Sequence, residues 1–176
     1  LMARAESKMV MGYLPIEVHH HAAILSLVVP ATPAVKLLDP FAGDGLFLQV
    51  AAQAWNVTPY ANELDGERAQ ACIERFGPKQ AVRCDVERLL ASNNAFGAAW
   101  LNPPYDHDKT AKSNKRVEFA YLRHSWKWLQ DGALALWCIY SQHITEDAAA
   151  FLAKNSSRVD VWALPGKHQG EYDQVI

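Results

Sequence analysis

The chain has 176 residues, half of them apolar and a fifth charged, and a net charge of −2 with its seven histidines neutral. That length predicts one domain over residues 1–176 around a single core, and the composition excludes disordered and collagen-like chains. A charge so near neutral excludes a protein that binds polyanions over its whole surface, so contact with nucleic acid needs a local patch or a partner. No apolar run has the length that spans a bilayer, and Leu1 to Lys8 lack an apolar signal core, so the sequence predicts a cytoplasmic protein. Cys72, Cys84 and Cys138 are odd in number and scattered, which points to reduced thiols rather than disulfides or a zinc site.

Short runs of β-formers alternate with helix-like stretches, the pattern of a parallel sheet covered by helices. Pro15 suits a first helical turn, and Ile16 to Val29 reads as a helix that Pro30 and Pro33 terminate. Val35 to Asp39 is a strand, followed by a glycine-rich turn and a helix through about Ala54. Further strands are expected at Val57 to Asn62, Gln80 to Cys84, Ala98 to Asn102, Ala133 to Ile139 and Val159 to Ala163. Helices fill the gaps at Glu67 to Phe76, Val86 to Leu90, Arg116 to Gln130 and Thr145 to Lys154. In the helix from Arg116, Phe119, Leu122, Trp126 and Leu129 recur at spacings of three and four, one stripe that can lie on a sheet. Tyr172 to Ile176 is a short terminal strand. Its abrupt stop, and Leu1 before Met2, suggest a domain boundary.

Three acids and a proline pair stand where such a sheet gathers its ligands. Asp39-Pro40-Phe41-Ala42-Gly43-Asp44-Gly45 follows a strand and precedes a helix, and its glycines allow a tight turn and close approach of a ligand to main-chain N–H groups. The spacing is GxG without a following GK[ST], so a P-loop is not supported. Glu63, at the end of the next strand, stands about 20 residues beyond the glycines, where an acid accepts from both hydroxyls of a ribose. Asp85 follows the third strand and faces the same crevice, where it can accept from the amino group of an adenine. At the end of the fourth strand comes Leu101-Asn102-Pro103-Pro104-Tyr105. The prolines hold the backbone extended and remove two N–H donors, leaving the Pro103 carbonyl and the Asn102 side-chain oxygen as acceptors for an NH2 group. Held so, the N–H bonds leave the conjugated plane and the nitrogen lone pair localises; Tyr105 offers a face for stacking.

The order GYLP (Gly12 to Pro15), LDPFAGDG (Leu38 to Gly45), NELD (Asn62 to Asp65), CDV (Cys84 to Val86) and LNPPY (Leu101 to Tyr105) resembles that of S-adenosylmethionine-dependent amino-methyltransferases, in particular the adenine N6 enzymes. NPPYDHD, VEFAYLR and EYDQVI are similar to a methyltransferase group of bacterial, phage and mobile-element genomes, and the resemblance covers about residues 11 to 176. It implies an α/β, Rossmann-like sheet of seven strands with helices on both faces and the last strand, Tyr172 to Ile176, antiparallel. It implies S-adenosyl-L-methionine as cofactor and S-adenosyl-L-homocysteine as product. Asp39, Ala42, Gly43 and Gly45, with Pro40 and Phe41 of the same turn, would shape the methionine pocket, and Tyr13 and Pro15 would close over it. Glu63, beside Leu64, would bind the ribose, and Asp85 with Val86 the cofactor adenine. Asn102 and Pro103, followed by Pro104, would bind the target amine, with Tyr105 stacking on a flipped base. Leu14 and His107 depart from the residues common in relatives at those positions, which bears on the lid and the substrate contacts.

The reaction requires no metal: His19, His20 and His21 point different ways on a helix and lack an i, i+4 partner, and Asp106-His107-Asp108 reads as a substrate loop. The basic cluster Lys109, Lys112, Lys115 and Arg116 reads as the contact to DNA. No segment remains for a separate target-recognition domain, so specificity would come from that loop, from residues outside the chain, or from a partner protein. The leading expectation is methylation of adenine N6 in DNA. The alternatives are the same chemistry on RNA, on a protein glutamine amide, or a catalytically silent cofactor-binding subunit.

Overall fold

The computed structural model describes residues 15–29, 35–105, 117–164 and 174–176. Its centre is a five-stranded parallel sheet: β1 (Lys36–Asp39), β2 (Thr58–Glu63), β3 (Ala81–Arg83), β4 (Phe96–Leu101) and β5 (Leu129–Trp137), in the order β3-β2-β1-β4-β5. The order reverses between β1 and β4, so a crevice opens beyond their carboxyl ends. Register is set by alternation. Leu37, Ala98, Trp100 and Leu136 face one core with α1 (Val18–Ser26), α2 (Leu46–Trp55) and α3 (Gly66–Phe76), while Leu38, Ala99, Leu101 and Trp137 face the other with α4 (Val117–Trp126) and α5 (Glu146–Asn155). Helices therefore cover both faces, as the alternation of elements predicted.

Each helix begins and ends for local reasons. Gly45, at φ +78, is the N-cap residue of α2, and Asn56, at φ 52, ends it in the left-handed conformation. The Asp65 carboxylate caps α3 by accepting from the N–H groups of Glu67 and Arg68, and Thr145 caps α5 through the N–H of Ala148. Helix α1 runs from Val18 to Ser26, inside the expected Ile16 to Val29; Trp55 Nε1 donates to the Leu25 carbonyl at 3.1 Å and ties it to α2.

Four expectations need correction. Leu129 and Gln130, read as the end of a helix, begin β5: α4 stops at Trp126, the Trp128 N–H donates to Ser125 O, and Leu129 pairs with Phe96. The apolar stripe continued past the helix because Leu129 packs in the same core as Leu122. Val86 to Leu90 is reduced to a single 3-10 turn, Val86–Arg88. The seven-stranded sheet is matched only in part. Beyond the five parallel strands lies an antiparallel pair, β6 (Ile139–Tyr140) with β7 (Gln174–Val175), which keeps the expected antiparallel last strand. The strand expected at Val159 to Ala163 shrinks to one bridge, Ala163 with Val175, flanked by the exchanged bonds of Trp162 and Ile176. Val159 and Val161 are exposed. No helix among the described residues is long and apolar enough to cross a membrane.

Candidate active site

The turn after β1 is held from beneath by its neighbours. Asn62, buried on β2, donates from Nδ2 to the carbonyls of Pro40 (3.0 Å) and Cys84 (3.1 Å), drawing the ends of β1, β2 and β3 together. The Ala42 N–H donates to Asn62 O at 2.9 Å. Glu63 does more of this work than its place in the sequence suggests. Oε2 accepts from the Gly43 N–H at 2.8 Å; Oε1 accepts from the N–H groups of Leu64 and Asp65 at 3.0 and 2.9 Å and pairs with Arg68 Nη2 at 2.9 Å. An ionised carboxyl has about four lone-pair sites, two on each oxygen, so the remaining acceptor capacity lies on Oε2.

These ties shape a cleft lined by Pro40, Phe41, Asn62, Glu63, Leu64, Arg68, Cys84, Asp85, Val86, Asn102, Pro104 and Tyr121. Pro40, Phe41, Glu63, Leu64, Asp85, Val86, Asn102 and Pro104 were all expected at a site, and the fold brings them to one place. Asp39, at the end of β1, and Ala42, Gly43 and Gly45, within the turn, are buried and are not among the residues that line the cleft. Pro103 is fully buried, and Pro15 is exposed at the start of α1, away from the lining. Tyr13, Lys109, Lys112, Lys115 and Arg116 lie outside the described residues, as do Asp106, His107 and Asp108. Sequence reading missed Asn62, Arg68, Cys84 and Tyr121. Asn62 carried a signal, a polar residue inside the NELD run at the end of an otherwise apolar strand; Tyr121, on α4 and 5.2 Å from the Phe41 ring, carried none.

Electrostatics follows from burial. Asp39 is 2% exposed, and desolvation, opposed by the Phe41 N–H (3.0 Å) and assisted by the charge of Glu63, raises its pKa to about 8. Burial also lifts Cys72, whose thiol donates to Gly43 O, to about 12, and Cys138 likewise to about 12, so neither is a nucleophile at neutral pH. The Arg68 N–H, first among several donors and charges, holds Asp65 below the usual carboxylate range.

Tyr105 closes the far side of Asn102. Its ring stacks on Tyr140 (4.4 Å, 30°), and its hydroxyl, pushed upward in pKa mainly by burial, accepts from Gln174 Nε2 at 3.0 Å. The single hydroxyl proton has two oxygen acceptors at the same distance, Asn102 Oδ1 and Cys138 O, each at 3.3 Å. One face of the Tyr105 ring is thus covered by Tyr140, and the residue is buried.

The fold is shared with solved methyltransferases. A class I S-adenosylmethionine-dependent methyltransferase assignment from Listeria monocytogenes superposes with a TM-score of 0.71 at 15% identity, over 92% of this chain and 61% of that one. The 1,6-didemethyltoxoflavin-N1-methyltransferase of Burkholderia thailandensis, with 1,6-didemethyltoxoflavin and S-adenosylhomocysteine bound, gives 0.62 at 18% identity, over 97% and 78%. TYW2 of P. horikoshii, in complex with MeSAdo, gives 0.62 at 13%, over 96% and 63%. The chain thus spans about three-fifths of the length of two of these proteins. At such identities the likeness establishes the fold, an α/β Rossmann-like methyltransferase fold. No curated protein matches the sequence. The profile of an uncharacterised methyltransferase family (DUF6094) matches residues 1–176, and the chain belongs to that family.

Proposed function

We propose that the protein transfers a methyl group from S-adenosylmethionine to the exocyclic N6 amine of adenine in DNA. The observation that carries this reading is that Asn102 and Pro104 line the same cleft as Glu63, Leu64, Asp85 and Val86. The cleft's chemistry fits the cofactor. Its polar lining is rich in acceptors: Glu63 Oε2 retains capacity, and the buried Asn62 Oδ1 has no hydrogen-bond partner among the described residues. Its apolar faces, Phe41, Leu64, Val86 and Tyr121, suit a planar ring. Hydroxyl and amino donors on an aromatic nucleoside are what such a wall accepts. Glu63 would hold the ribose, and Asp85 with Val86 the adenine.

When bound, the cofactor supplies an electrophilic methyl on a sulfonium. The chain's own task is to present the nitrogen. Asn102 Oδ1 and the Pro103 carbonyl accept the two N–H bonds of the amine and turn them out of the ring plane, which localises the lone pair; the rest is alignment. Asn102 Oδ1 also lies within hydrogen-bond reach of the Tyr105 hydroxyl, at 3.3 Å. Lys109, Lys112, Lys115 and Arg116 would contact phosphates, which position the duplex without reading its sequence.

The test is transfer of labelled methyl groups to unmethylated genomic DNA, bulk RNA and cell protein in parallel, with nucleoside mass spectrometry of the product. N6-methyladenine in DNA is expected, with Asn102→Ala reducing kcat by about 100-fold or more, the scale for losing one group that stabilises a transition state. Label in RNA or on glutamine instead would reassign the substrate. Label nowhere, with the cofactor still raising Tm, would leave a silent binding subunit.

A further inference from the structure

Glu118 is the most deeply buried acid among the described residues, 1% exposed on the first turn of α4, and the cofactor cleft makes no use of it. Its Oε1 lies 3.3 Å from Nδ1 of His143, in the 3-10 turn (Ser141–His143) that follows β6. Packing alone does not call for such a pair: apolar residues of similar volume commonly serve as well or better, because two polar groups must be taken out of water. What distinguishes this pair is its neighbour. The His143 ring meets Tyr140 edge-on at 5.1 Å and 84°, and Tyr140 stacks on Tyr105, whose hydroxyl proton is shared between Asn102 Oδ1 and Cys138 O. An imidazole edge against an aromatic face is attractive and orienting, because the ring's face is negative and the edge positive. The contacts therefore run without a gap from a buried acid to the oxygen that is to hold the amine.

We propose that Glu118 and His143 are positioning residues of the methyl-acceptor site. Glu118 fixes the imidazole; the imidazole fixes Tyr140; and the Tyr140–Tyr105 stack decides whether the Tyr105 hydroxyl is spent on Asn102 or on the Cys138 carbonyl. Donation to Cys138 withdraws the Tyr105 hydroxyl from Asn102 Oδ1, while donation to Asn102 engages it. The inference rests on the reading of Asn102 as the amine acceptor, but the coupling it asserts is a property of the protein alone.

The test uses the full chain with isotope-labelled asparagine and tyrosine. In His143→Ala and Glu118→Gln the side-chain amide resonances of Asn102 and the ring resonances of Tyr105 are expected to move, while the affinity for S-adenosylhomocysteine stays within about twofold of the parent, since the cofactor cleft does not touch the pair. Tyr140→Leu should produce a similar shift with the pair intact, and adding His143→Ala to it should add little. Unmoved Asn102 resonances in a folded His143 variant, or shifts that add in the double variant, would overturn the proposal. His143→Gln covers the case in which the alanine variant does not fold. Where the parent methylates DNA, the same variants should lower kcat at least about tenfold with KM for the cofactor unchanged, the mark of misplacement rather than lost binding. An inactive parent would count against the functional reading and leave the resonance test standing.

Discussion

Glu63 already serves the backbone, beside the role toward ribose proposed for it. It accepts three main-chain N–H groups and the Arg68 guanidinium, so it holds the glycine turn and the start of α3 in place before any ribose arrives. Glu63→Gln is expected to lower stability by about 1–3 kcal/mol in urea, because the amide turns an NH2 toward N–H donors that then lose their acceptor. A residue that only bound ribose would lose cofactor affinity in calorimetry and leave the urea midpoint unchanged. Asp39 gives a second residue-scale expectation. Its pKa rises from the ordinary 3.8 to about 8, chiefly through burial. Between those values the folded protein keeps a proton that the unfolded chain has released, so stability falls as pH rises through the window and levels off above it. Urea midpoints at pH 5 and pH 8 should therefore differ in the parent, and the difference should shrink in Asp39→Asn.

At the scale of the element, Gly45 separates backbone strain from crowding. It sits at φ +78, and an added Cβ would come 2.7 Å from Phe76 Cε2 and 3.1 Å from Cys72 Sγ; Gly132 has nearly the same φ, +76, and nothing within 4 Å. Gly132→Ala should cost about 1–2 kcal/mol, the strain of a left-handed alanine. Gly45→Ala should cost that and more, because α3 must move, and parallel urea titrations give the excess. The same contrast shows what the sequence could disclose. Strands β1 to β4 and helices α2 and α3 were legible because each has a turn or a cap beside it. The β4 ends and the acids that shape the cleft were legible because their spacing follows the strand ends. Leu129 misled because one apolar stripe spans a helix and the strand after it. Val159 to Ala163 misled because β-propensity speaks of the residues and not of a partner. The Tyr105–Tyr140 stack, the Asn62 ties and the Glu118–His143 pair were not legible at all. Each depends on residues more than 20 positions apart meeting across the sheet, where no local period reaches.

For the molecule as a whole, the small antiparallel pair does what the five-stranded sheet cannot. The Cys138 N–H donates to Leu101 O at 2.8 Å, so the β4–β5 ladder runs directly into β6, and β7 is laid against it. Alternation then sends three consecutive residues to three tasks. Val175 enters the core beneath α4 and α5, Ile176 the core beneath α1 to α3, and Gln174 donates to the Tyr105 hydroxyl. Stability and site geometry should therefore separate along this strand. Ile176→Ala is expected to cost about 2–5 kcal/mol, the range for truncating a buried isoleucine, with Val175→Ala toward the lower end. Gln174→Ala, on a half-buried side chain, should change the urea midpoint far less, yet it removes the donor that holds the Tyr105 oxygen. Methyl transfer is then expected to fall in kcat without a change in cofactor affinity. The measurement that decides is one urea series and one kinetic series over the three variants. If Gln174→Ala lost stability in step with Ile176→Ala, or kept full kcat, the last strand would be a seal for the two cores and nothing more.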